Sequence, residues 1–184
     1  MRFSFENFAT QLESWHDFYL LAGTAAVTLV GLLFVALSFH LEALLEDHRA
    51  HLLAAARGAY SSFLYVMVLS LMMLVPGPSP RMVGVWTIML SIAFVTFYWL
   101  SFRNSGGRHD DAGHDRFLAR RKRIVTGMYA YGAIVGGFLV SSNDGKLLLN
   151  FMPLVVMQLA NAAWTSWDLL VQVGRMKRHA SGPK

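Results

Sequence analysis

Five long apolar stretches, separated by short charged or turn-rich segments, dominate the hydrophobic pattern of the chain. The first runs from Phe18 to about Phe39 (FYLLAGTAAVTLVGLLFVALSF), and the others lie between Arg57 and Pro76, Arg81 and Arg103, Arg123 and Asn143, and Lys146 and Asp168. At about 1.5 Å per helical residue, each can cross a hydrocarbon core of roughly 30 Å with modest tilt. The pattern predicts an all-α, polytopic transmembrane bundle with spans at about 18–41, 58–76, 82–102, 124–142 and 147–170. These spans use more than half of the 184 residues, so residues 1–184 read as a single membrane domain.

The intervening segments add detail. In residues 1–17, Phe5, Phe8, Leu12 and Trp15 recur at helical spacing, which predicts a short amphipathic helix on the outer membrane surface. Glu6, Glu13 and Asp17 precede the first apolar run where a cleaved signal would carry basic residues, so that run reads as a retained span. From His40 to Gly58 there is no proline and no internal glycine, which predicts helical extensions of the first two spans with a tight turn near Asp47. Asp115 reads as the N-cap of an extended fourth span, residues 104–113 (NSGGRHDDAG) as a loop, and PGPSP and SSNDGK as short turns.

Charge orients the bundle. With the N-terminus outside, the outer segments hold three Lys or Arg (Arg2, Arg81, Lys146), and the inner segments hold the remaining thirteen. An even number of spans would spoil that partition. The expected arrangement is therefore an outside N-terminus, a basic cytoplasmic loop at 103–123 and a basic cytoplasmic tail at 171–184. Trp15, Tyr19 and Trp86 fall near the outer boundary, and Tyr98, Trp99, Trp164 and Trp167 near the inner one, as interfacial aromatics do.

Composition excludes some chemistry. Hydrophobic residues make up 55% and charged ones 15%, against about 25% charged in soluble domains, which makes lipid the expected solvent. There is no cysteine, hence no thiolate nucleophile and no Cys-based metal site. The net charge of +5 clusters beside apolar runs, so Arg116, Arg120, Arg121, Lys122 and Arg123 read as contacts to anionic lipid or a cytoplasmic protein, with no nucleic acid. His109, Asp110, Asp111, His114 and Asp115 crowd one segment, but a Gly-rich loop supplies no fixed ligand geometry, and no metal or cofactor is expected. No HExxH, GxSxG or P-loop occurs and the spans offer only Asp168 as an acid, so no enzyme is expected.

Two polar stripes carry the functional reading. On the fifth span, Gln158, Asn161, Thr165, Asp168 and Gln172 follow steps of three and four and share one face, which must meet protein or water instead of lipid. Helix-to-helix hydrogen bonding and a water-lined path both satisfy that requirement. On the first span, Thr24, Thr28, Gly31, Ser38 and Glu42 follow the same period, with Val35 filling the gap. Close helix packing explains this stripe, as does a pore wall with Val35 as its constriction. Glu42, Asp168, His40 and Arg57 lie at similar depth near the inner boundary, as mouth charges would. Gly132 and Gly136 form a GxxxG that predicts close packing. A homo-oligomeric channel, cation-conducting if acids ring its mouth, is the leading expectation. A non-conducting adaptor that docks a cytoplasmic partner through the basic loop and tail is the alternative.

The segment WHDFYLLAGTAAVTLVGLLFVALSFHLEAL, Trp15 to Leu44, resembles the N-terminal helix of an uncharacterised group of small bacterial multi-span inner-membrane proteins. The resemblance covers about a sixth of the chain. It implies a bacterial inner (plasma) membrane setting and carries no activity, ligand or catalytic residue.

Overall fold

The computed structural model describes residue 10 and residues 12–39, 50–103, 112–142 and 145–180, with side chains described at 10, 12–39, 55–100, 123–142 and 148–171. The described residues form five long helices and no strand: α1 (His16–Ser38), α2 (Ala50–Met73), α3 (Pro80–Arg103), α4 (Ala112–Ser142) and α5 (Phe151–Ala180), with a 3-10 helix (Gly145–Asn150) before the last. Five helical windows are long and apolar enough to cross a membrane: His16–Ser38, Ala55–Met73, Pro80–Leu100, Arg123–Ser142 and Leu148–Val171, the last beginning in the 3-10 segment and continuing through α5.

Local chemistry sets the boundaries. After α2 the chain turns at Gly77, whose φ of 68° favours a residue without a Cβ. Ser79 then caps α3, its Oγ accepting from the Met82 N–H at 3.2 Å, and Pro80 fills the first helical position, where a missing N–H costs nothing. The fifth span opens at Leu148, beside the expected 147, while the α-helix proper begins at Phe151. Pro153 tolerates only the first turn of a helix, because further in its ring would clash with the carbonyl four residues back, so residues 145–150 tighten into a separate 3-10 segment. Asp115 is not the N-cap of α4, because the helix already runs from Ala112 and places Asp115 within its first turn. In the N-terminal tail, residues 10 and 12–14 are helical as expected, and Leu12 is buried in the main apolar cluster, with the Trp15 N–H donating to the Leu12 carbonyl at 3.1 Å. Phe5, Phe8, Asp47 and the loop centred on His109 lie outside the described residues.

Successive helices run antiparallel. Gly23 of α1 meets Ser70 of α2, and Leu33 packs with Ala59 and Phe63. Gly58 of α2 meets Tyr98 of α3, Gly84 of α3 meets Gly136 of α4, and Gly132 of α4 meets Leu154 of α5. α2 is the central element, with most of its spanning window buried, and α1 is the peripheral one. The closest approach joins α3 to α4. A methyl on Gly84 would come 2.6 Å from the Gly136 carbonyl oxygen, and one on Gly136 would come 2.8 Å from the Gly84 carbonyl oxygen. Only glycine at both positions lets the two backbones touch.

Candidate functional site

The two stripes point in opposite directions. α1 buries Tyr19, Ala22, Ala26 and Leu33 against the bundle. Thr24, Thr28, Gly31, Val35 and Ser38 lie on the reverse side and are all exposed. Their hydroxyls are satisfied within the helix: Thr24 Oγ1 donates to the Leu20 carbonyl at 2.8 Å, Thr28 Oγ1 to Thr24 at 2.9 Å and Ser38 Oγ to Phe34 at 2.9 Å. A hydroxyl that donates inward presents its oxygen lone pairs outward, so this face offers acceptors. A Cβ added at Gly31 would meet nothing within 4 Å. Large exposed side chains flank the stripe, Val27 and Phe34 on one side and Leu21, Leu32 and Phe39 on the other, and Leu20 and Val35 are exposed on the line of the stripe itself.

The stripe on α5 faces inward. Gln158 is fully buried and Thr165 nearly so, with Thr165 Oγ1 donating to the Asn161 carbonyl at 2.8 Å. Asn161 and Asp168 are half-buried, while Trp164 and Trp167 are among the most exposed large side chains. Neither amide atom of Gln158 has a hydrogen-bond partner among the described residues, and a separate polar core, which the helix pattern alone did not reveal, joins α2, α3 and α4. Tyr65 OH and Ser91 Oγ hydrogen-bond at 3.1 Å, Tyr129 OH donates to Ser61 Oγ at 3.3 Å, and Ser61 Oγ donates to the Gly58 carbonyl at 2.9 Å. Tyr65, Tyr129 and Phe94 pack as an aromatic triangle with centroids 5.1 to 5.9 Å apart. Gly132 makes room for it, since a methyl there would come 2.5 Å from Tyr65 OH and 3.0 Å from Ser91 Oγ.

No protein family, curated protein or solved structure matches the chain.

The fold thus brings some sequence-predicted residues together and separates others. Gly132 and Gly136 are both used inside the protomer, one seating Tyr65 and the other seating α3. The α1 and α5 stripes share no surface, since one faces out of the bundle and the other into it. Arg57 and Arg123 are exposed. His40 and Glu42 lie outside the described residues, and the backbones of Arg116, Arg120, Arg121 and Lys122 lie in the first turns of α4 with side chains outside the described set. Among the described residues, no group of three or more potential ligands is placed to hold a metal.

Sequence reasoning missed Gly84, Ser61, Ser62, Tyr65, Ser91, Thr126 and Tyr129. A signal existed: Thr126, Tyr129 and Gly132 recur every third residue on α4, and Ser61 and Tyr65 lie one turn apart on α2.

Proposed function

We propose that the chain is the subunit of a homo-oligomeric membrane pore whose wall is α1 alone, with α2 to α5 as the scaffold that holds it. The observation that carries this reading is the outward hydroxyl and glycine stripe of α1, set between two ridges of large apolar side chains. In a ring of copies, the stripe would line the lumen and the ridges would pack against the neighbouring α1 helices. Lipid makes no demand for hydroxyls along an exposed line of a helix, whereas a conducting path does. Acceptor oxygens from Thr24, Thr28 and Ser38, stacked over three rings, favour cations, and Val35 sits between them as an apolar constriction. The Lys and Arg distribution supports an outside N-terminus, and the resemblance of Trp15 to Leu44 supports a bacterial inner-membrane location.

The absence of cysteine makes the test direct. Single cysteines at Thr28, Gly31 and Val35 should react in membranes with a charged, water-soluble thiol reagent, while cysteines at Met89 on α3 and Phe138 on α4, also exposed but outside the stripe, should not. Equal and negligible reaction at all five positions would remove the lumen from α1.

A second reading is favoured by one observation. α4 continues as helix through residues 112–122 before its spanning window, and α5 through residues 172–180 after its own. Both extensions leave the same face of the bundle, the former reaching about 16 Å, and both are basic in sequence. Such arms suit an adaptor that docks an acidic cytoplasmic partner, and a pore subunit can carry them too.

A further inference from the structure

Where α2, α4 and α5 meet, buried hydroxyl and amide groups collect at one depth. A Cβ on Gly132 would meet both Tyr65 OH and Leu154 Cδ2, which sets Tyr65, Gly132 and Leu154 at one level. Further along the same crossing, Ala162 of α5 packs with Ala59 and Phe63 of α2. α2 and α5 run antiparallel, so Gln158, midway between Leu154 and Ala162, stands opposite Ser62, midway between Ala59 and Tyr65. Tyr129, one turn before Gly132, reaches that level from α4, where its hydroxyl donates to Ser61 at 3.3 Å and also lies beside Ser62. Gln158, Ser62 and Tyr129 are all fully buried. Both amide atoms of Gln158 and the Ser62 hydroxyl are without a hydrogen-bond partner among the described residues. Helical hydroxyls commonly donate to a carbonyl of the preceding turn, as Ser61 and Thr165 do, but Ser62 does not. Buried polar groups are seldom left unpaired, so orphans on two facing helices call for a shared partner.

We propose that this level of the bundle is an internal water site that ties α5 to the tyrosine and serine core. The first water accepts from Ser62 Oγ and Gln158 Nε2 and donates to the phenol oxygen of Tyr129, and Gln158 Oε1 accepts from a second. Three partners are the usual complement of a buried water. Chemistry selects water over an ion, because the three side chains are neutral and supply donors, whereas a dehydrated cation asks for oxygen acceptors alone. The short side chains at the crossing, Ala59, Ser62 and Ala162, suit an occupant of about 30 Å³, and full burial excludes a larger solute from bulk. The core's own hydrogen bonds join only α2, α3 and α4, so the bridge adds the fifth helix. The site is formed within one chain, so the proposal stands whether or not α1 lines a pore.

The test is X-ray hydroxyl-radical labelling of the full chain in liposomes, read by mass spectrometry and corrected for the intrinsic reactivity of each residue type. Radicals born from an internal water oxidise the side chains beside it even where bulk solvent does not reach. Tyr129 should therefore be labelled well above Phe151, which is just as buried and lies two turns before Gln158 on α5. Gln158→Met, close in length and without hydrogen-bonding groups, should bring Tyr129 down to the level of Phe151. Ser62→Ala, a change of one atom, should do the same in part and keeps the test open if the first variant fails to fold. Wild-type labelling of Tyr129 no higher than that of Phe151 would show dry packing or a direct bond from Gln158 to Ser62, and would overturn the proposal. Labelling that persists undiminished in Ser62→Ala and in folded Gln158→Met would put the water elsewhere and overturn it too.

Discussion

Gly136 and Gly137 are adjacent in sequence and opposite in environment. A methyl at Gly136 meets the Gly84 carbonyl, Ile88 and Thr87, whereas one at Gly137 meets nothing within 4 Å. Gly136→Ala should therefore lower stability by about 1–3 kcal/mol through forced separation of α3 and α4. Gly137→Ala should be neutral, or stabilising by up to about 1 kcal/mol from helix propensity. Thermal unfolding of the purified protein in one detergent compares the two directly, and equal effects would contradict the α3–α4 contact. The GxxxG was legible in the sequence, but Gly84, the residue it packs on, was not, because a lone glycine in an apolar run carries no signal of its partner. Gln158 shows the same limit. Its period with Asn161 and Thr165 places the three on one face, yet both the lipid and the bundle interior are apolar, so hydropathy does not say which way a face points.

At the scale of elements, the long apolar windows were legible because the hydrocarbon thickness imposes their length, and the described helices contain five of them. Their ends were less legible, because capping and proline chemistry act locally within windows whose hydropathy barely changes. Pro153 sets the start of α5, and a cap by Ser79 fixes the start of α3. Ser79→Ala should cost about 0.5–2 kcal/mol by leaving the Met82 N–H without its partner, measurable in the same thermal assay, while Ser79→Asp should retain the cap. Loss of stability in both variants alike would assign the effect to packing around Ser79 and not to the hydrogen bond. The facing of α1 became clear only with α2 in place: Ala22 and Ala26 lie on the buried face, opposite the Thr24, Thr28, Gly31 and Ser38 stripe for which the sequence offered close packing as one reading.

For the whole molecule, the antiparallel order of five helices puts the N-terminus of α1 and the C-terminus of α5 on opposite faces, and the basic arms of α4 and α5 on one of them. The interior is occupied by the tyrosine and serine core, with Gly132 closed over Tyr65, so the described bundle devotes its centre to packing and its most hydroxyl-rich surface to the outside. A conduit built from this protomer therefore belongs between copies, along α1. Cation flux into liposomes carrying the reconstituted protein tests that claim most directly, with wild type compared with Gly31→Phe. The substitution has open space within the protomer, so it leaves the bundle intact while narrowing any lumen lined by α1. The account predicts flux for the wild type and its loss in the variant, with oligomeric mass unchanged. Undiminished flux through Gly31→Phe, or no flux from a correctly inserted wild type, would contradict a pore lined by α1.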